Sequence, residues 1–163
     1  MTKKEIEFLK ESNAIEGVHD EESLEQAKKA WEYLKGVENM TFGVVLKTHK
    51  ILMLKSKLAP NEKGYFRTVP VYIGGREAIS FHKIREELKE WCDGMMATNP
   101  SHDPEALHII YEHIHGFVDG NGRTGRMFMN WHRIKKNGLP IFIIHADWPK
   151  KDGEQASYYK WFK

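Results

Sequence analysis

Residues 103–140 leave this chain little choice of local structure. Asp103-Pro104-Glu105 is a helix start: a capping carboxylate, a proline whose missing N–H is not needed in the first turn, and an acid at the positive end of the helix dipole. Leu107, Ile110, Tyr111 and Ile114 follow at helical spacing and read as one buried face. A glycine-rich break carries Gly116, Gly120 and Gly122. Met127, Phe128, Trp131 and Ile134 then restore the helical period until Asn137-Gly138-Leu139-Pro140 stops it. The pattern predicts two helices joined by a tight loop, with the second helix N-terminus opening from that loop.

Most of the remaining chain reads as helix too. Ile6 and Leu9 mark a short amphipathic opening. Asp20 is the expected N-cap of a second helix, with apolar stripe Leu24, Ala27, Trp31 and Leu34 and Gly36 at its end. Thr41 is placed to cap a third, whose face is Phe42, Val45, His49, Leu52 and Met53, and Ile84, Leu88 and Trp91 mark a fourth. Glu154 to Phe162 forms one more short helix. The exception lies between them: Val69-Pro70-Val71-Tyr72-Ile73 and Ala78-Ile79-Ser80-Phe81 flank Gly74-Gly75, the pattern of a β-hairpin. Pro70 has no amide donor, which suits an edge strand, and an open edge can dock an extended peptide. The same residues could also be a mere connector.

With 25 basic and 23 acidic side chains the formal net charge is only +2, so neither nucleic acid nor a membrane surface is an expected partner. Cys92 is the single cysteine, which rules out an internal disulfide and suits a reducing compartment. The opening Met-Thr-Lys-Lys-Glu-Ile-Glu has acids where a signal peptide needs an apolar run. These features point to a cytoplasmic chain, read as one mainly α domain over residues 1–163, with no repeat or linker.

The chemistry concentrates in His115-Gly116-Phe117-Val118-Asp119-Gly120-Asn121-Gly122-Arg123-Thr124-Gly125-Arg126. Amides at a helix N-terminus, with the positive end of the dipole, form a ready anion site. Gly120 and Gly122 let successive N–H groups turn toward one point. Arg123 and Arg126, three apart, are expected to project to the same side, and guanidiniums fork onto phosphate. So much positive charge suits two or three linked phosphates better than one. Asp119 would let Mg²⁺ join them, since Mg²⁺ takes one or two carboxylates plus phosphate oxygens and water. His115, with an ordinary pKa of roughly 6.5, suits a general base. Taken singly, each element is a surface residue of an interhelical turn. Together they describe transfer of a phosphorus group to a hydroxyl.

This segment resembles the signature of the Fic domain family, His-x-Phe-x-(Asp/Glu)-Gly-Asn-Gly-Arg-x-x-Arg, with every fixed position matched. Gly116 stands where proline is common, a change that removes no chemical group. The resemblance extends through Gly64-Tyr65-Phe66-Arg67 and the hairpin, and covers roughly Ser12 to Pro140. It implies a Fic-type helical bundle with a small β-hairpin flap over residues 65–81. It also implies an Mg²⁺-dependent protein adenylyltransferase, moving AMP from ATP to a Ser, Thr or Tyr hydroxyl of a target protein that can be a second copy of the chain itself. On that analogy His115 takes the hydroxyl proton and Asp119 holds Mg²⁺. Gly120, Asn121 and Gly122 stabilise phosphate charge, and Arg123 and Arg126 hold the beta and gamma phosphates. Val69, Val71, Tyr72 and Ile73 clamp the target by backbone pairing, and Phe117 anchors the loop.

Ser12-Asn13-Ala14-Ile15-Glu16-Gly17 is similar to the family's inhibitory motif, (Ser/Thr)-x-x-x-Glu-(Gly/Asn), here within residues 1–18 and ahead of the catalytic segment. The resemblance implies that Ser12, Glu16 and Gly17 form a brake: Glu16 pairs with Arg126, so that ATP binds out of line for attack. Without the resemblance, Glu16 is only an acid at a helix end. In some relatives the same glutamate supports AMP removal, and other members transfer UMP or phosphocholine, or phosphorylate. Two readings lie outside this one. His108, Glu112 and His115 share a helix face and could bind zinc, although His-Glu-x-x-His is lacking. A nucleotide-binding regulatory module with little turnover, acting through its hairpin on a partner, is the other. Tyr158 and Tyr159 could stack on adenine, or simply pack in the core.

Overall fold

A computed structural model describes residues 1–97 and 103–163. Among these, seven α-helices run in the order α1 (Lys3–Ile15), α2 (Glu21–Lys35), α3 (Phe42–Leu52), α4 (Ile84–Met96), α5 (Pro104–Ile114), α6 (Asn121–Asn137) and α7 (Glu154–Tyr159). A two-stranded antiparallel hairpin, β1 (Tyr72–Ile73) and β2 (Arg76–Glu77), lies between α3 and α4. The caps follow their local chemistry. Asp20 accepts from the Ser23 amide at 2.7 Å and Thr41 from Val44 at 3.3 Å. Asp103 caps α5 with Pro104 in its first turn, satisfying amides that would otherwise lack partners.

The hairpin is real but shorter than its sequence pattern. Each strand has two residues, and Gly74 and Gly75, at φ +55° and +83°, form the connecting turn. Val69 and Val71 precede β1, and Ala78 continues the pairing through one hydrogen bond to the Val71 carbonyl at 2.9 Å. Tyr72 and Val69 are exposed. With only two strands and little apolar cover, the ladder has no energetic reason to extend.

Helix α6 is central: it packs on α5, its most extensive partner, and also on α1, α2 and α3. Its residues from Thr124 to His132 are buried on every side, which is why a helix this polar holds its place only through partners. Trp91, Tyr111 and Phe128 form an aromatic cluster joining α4, α5 and α6, with Phe128 edge-to-face on both partners. The Trp131 indole donates to the Val37 carbonyl at 3.1 Å. Two expected core residues are not in the core: Ile110 and Ile134 are 46% and 39% exposed. On α5, His108 takes the buried position instead, and on α1 Phe8 joins Leu9 while Ile6 is only half-buried. Spacing assigns a face but not which neighbours cover its edges.

α1 is anchored to α2 by a buried carboxylate. Glu5 accepts from the Trp31 indole at 3.0 Å and pairs with Lys35 at 3.0 Å, while Phe8 packs edge-to-face on Trp31. Burial alone would raise the Glu5 pKa, but hydrogen bonds from the Thr2 amide, Lys35 and Trp31 outweigh it and hold it at about 2. A carboxyl depressed on folding contributes stability above its unfolded pKa and loses it as pH falls through the folded value. Glu5 is therefore expected to supply on the order of 1–3 kcal/mol above pH ~4.5, lost progressively toward pH ~2. The check is the melting temperature across that range: Glu5→Gln should flatten its fall with acid, and an unchanged slope would show the anchor to be inert.

Candidate functional site

α5 ends at Ile114, and His115 leaves it in the left-handed region, φ +47° and ψ +56°. A histidine tolerates that backbone better than a branched residue, but it still has to be held there. The turn aims its ring back over α5. Nδ1 lies 3.2 Å from the Glu112 carbonyl, and a carbonyl only accepts, so Nδ1 carries the proton and Nε2 keeps the lone pair. Burial lowers the ring's pKa and so favours the neutral imidazole. The Glu112 carboxylate approaches Nδ1 at 3.7 Å, and burial pushes its pKa up to about 7.

The loop after His115 is fixed from inside. The Asn121 side chain accepts from the Phe117 amide and donates to the Phe117 carbonyl, both at 2.9 Å. That side chain is therefore spent on the loop, and only its backbone amide faces the helix start. His49 of α3 holds the next turn: its Nε2 donates to the Asp119 carbonyl at 2.8 Å and its Nδ1 accepts from the Gly64 amide at 2.9 Å. Its ring stacks on Phe117 at 3.7 Å between centroids. Burial lowers the His49 pKa to about 4, so this pin stays neutral at physiological pH. Sequence periodicity places His49 in the core but gives no sign that it organises the loop. Its signal was the lone polar residue on an apolar face.

Gly120 sits at φ +83°, where a Cβ would meet the Met53 sulfur at 2.9 Å. It is the N-cap of α6 and offers no side-chain acceptor, so the first amides of that 17-residue helix and its dipole point outward without a cap. Asp119 is 63% exposed at the mouth. Its Oδ1 accepts from the Gly120 amide at 2.6 Å, and its Oδ2 lies 3.6 Å from Arg123.

The two arginines take different partners. Arg123 turns toward α3, with Nη2 3.3 Å from the Met53 sulfur, and among the described residues its buried Nε has no hydrogen-bond partner. Arg126 turns toward α1 and α7. Its Nε donates to Ser12 Oγ at 2.9 Å, Nη2 to the Ser12 carbonyl at 2.9 Å, and Nη1 to the Tyr158 hydroxyl at 3.1 Å. Nη2 also pairs with Glu16 Oε1 at 2.7 Å. The same Glu16 carboxylate lies so close to Gly122 that a Cβ there would overlap it. A side-chain anion thus rests on the first turn of α6. Gly17 follows at φ +69°, closing α1.

Tyr158 is buried, held between Arg126 and His108 Nε2, the latter at 2.9 Å, and is not presented to a base. Tyr159 is partly exposed and touches Trp148 and the Gln155 amide. His108 bonds Tyr158 through Nε2, and among the described residues no three His, Cys, Asp or Glu side chains group to hold a metal, so the geometry lends the zinc alternative no support. Among the same residues, no helix is long and apolar enough to cross a membrane.

The family model for the Fic/DOC family matches residues 39–132. Protein adenylyltransferase Fic of Drosophila grimshawi is 29% identical over 129 residues, covering 76% of this chain and 25% of that protein. The Drosophila erecta protein of the same name is 30% identical over 129 residues, with 76% and 24% covered. The chain spans about a quarter of the length of these relatives. Among solved structures, a Fic family protein from Desulfovibrio desulfuricans superposes with a TM-score of 0.74 at 21% identity, over 96% of this chain and 55% of that one. Fic-1 from C. elegans gives 0.72 at 18%, over 99% and 63%. At such identities the structures speak for the fold.

Proposed function

Because this chain belongs to the Fic/DOC family, we propose that it is an autoinhibited protein adenylyltransferase that moves AMP from ATP to a hydroxyl side chain of a target protein. The observation that carries the reading is the Glu16 carboxylate at the uncapped start of α6, paired with Arg126 at 2.7 Å and pressed on Gly122. A protein anion rests where a phosphate anion would be drawn, and the group that draws it is the one a nucleotide would need.

The chemistry follows from the residues. The target oxygen bonds to the alpha phosphorus while the bond to the beta-phosphate oxygen breaks, and pyrophosphate leaves. The hydroxyl proton goes to Nε2 of His115, whose Nδ1 already carries one. The amides of Asn121 and Gly122 and Arg123, whose buried Nε has no partner among the described residues, would meet the charge that accumulates, the arrangement that lowers such barriers most. The exposed Asp119 carboxylate fits a Mg²⁺ ion shared with phosphates, and that ion would supply charge neutralisation. An extended target segment would lie along Val69, Val71, Tyr72 and Ile73, where β1 has only β2 as a strand neighbour among the described residues.

The Drosophila relatives named as protein adenylyltransferases support the reaction class. The test is mass spectrometry of peptides from Glu16→Gly protein incubated with ATP, Mg²⁺ and a lysate. A mass gain of AMP on Ser, Thr or Tyr supports the reading. Phosphate alone on those residues would replace it with a kinase-like variant.

A further inference from the structure

Arg67 is 3% exposed and lies far in sequence from the glycine-rich loop at the start of α6. Its charge is met by carbonyl oxygens. Nε donates to the His115 carbonyl at 2.7 Å and Nη2 to the Ile114 carbonyl at 3.4 Å, at the negative end of the α5 dipole. Nη1 donates to the Val69 carbonyl at 3.0 Å and Nη2 to the Ile79 carbonyl at 2.6 Å, one on each stem of the hairpin. The Arg67 amide adds a bond to the Gly116 carbonyl at 2.9 Å.

One guanidinium therefore holds both stems of the flap and the left-handed turn that aims the His115 ring. We propose that Arg67 is a positioning residue that locks the flap to His115, so that a segment docked along the hairpin meets the imidazole in fixed register. This rests on the reading of His115 as the base. The planar fork is what makes the link possible, because it reaches carbonyls on two sides at once. A lysine ammonium is a single point on a flexible stem and cannot span them. Misplacing reacting groups by about 1 Å can cost about 10²-fold, while the loop at Gly120 to Arg126 makes none of these contacts.

The test is Arg67→Lys in a Glu16→Gly background, assayed on folded protein. The expected result is a fall of about 10²-fold in kcat for AMP transfer with ATP affinity unchanged; a kcat equal to that of the parent overturns the proposal. If Arg67→Lys does not fold, Val69→Gly takes its place. Its side chain is half exposed, but the carbonyl gripped by Nη1 gains freedom. The readout is the NMR signals of the His115 ring without nucleotide or target. A shift supports the link between flap and base, and unmoved signals overturn it. If the Glu16→Gly parent transfers no AMP at all, the adenylyl-transfer reading fails, and the ring signals of Arg67→Lys and Val69→Gly decide the positioning role on their own.

Discussion

Replacing His115 by alanine in a Glu16→Gly background is expected to remove AMP transfer, a loss of about 10²–10⁴-fold, without loss of ATP affinity. The reason is the division of labour in the site. In the proposed reaction the α6 N-terminus and the arginines would serve the phosphates, whereas the ring would take the hydroxyl proton; it makes no contact with Arg123 or Arg126 among its hydrogen bonds. A pH profile separates a base from a structural histidine. Burial lowers the ring's pKa, and the active form is neutral. The rate should therefore hold through neutrality and fall only as pH drops through a midpoint below imidazole's usual ~6.5. If His115→Ala weakened ATP binding as much as transfer, the residue would belong to the phosphate site instead.

The second large effect is a gain. Glu16→Gly should raise AMP transfer by about 5–150-fold, the range of coupling energies near 1–3 kcal/mol. Glu16 is 39% exposed at its side chain and Arg126 only 2%, so the pair is screened from one side and is not a deeply buried lock. Removing the carboxylate frees one N–H of Arg126 Nη2 and the space over Gly122 together. Ser12 would still hold the guanidinium through Nε and Nη2, which keeps the arginine in place for a phosphate. Initial rates of AMP incorporation for the two proteins at equal concentration decide it, and equal rates would remove the brake from this account.

What the sequence made legible was what is local. The caps at Asp20, Thr41 and Asp103, the turn at Gly74-Gly75 and the break between α5 and α6 all depend on residues a few positions apart. The long-range partners were not legible from spacing. Glu16 reaches Arg126 across 110 positions and His49 reaches Asp119 across 70. Only the resemblance of Ser12 to Gly17 anticipated the first of these, and nothing anticipated the second. Arg123 and Arg126 were expected on one side because their spacing is three. The structure gives them different partners, Met53 and Asp119 for one and Ser12, Glu16 and Tyr158 for the other. Asn121 stood in the motif as a phosphate residue, and its amide side chain instead closes the loop on Phe117. Side-chain direction at a helix start depends on what packs around it, which periodicity does not contain.

The most direct measurement uses ATP carrying a phosphorus label at either the alpha or the gamma position, incubated with Glu16→Gly protein, Mg²⁺ and target. The account expects alpha label to become fixed to protein hydroxyls in a His115-dependent way, while gamma label leaves in pyrophosphate. Gamma label on the protein, or no alpha label on it, would contradict the account.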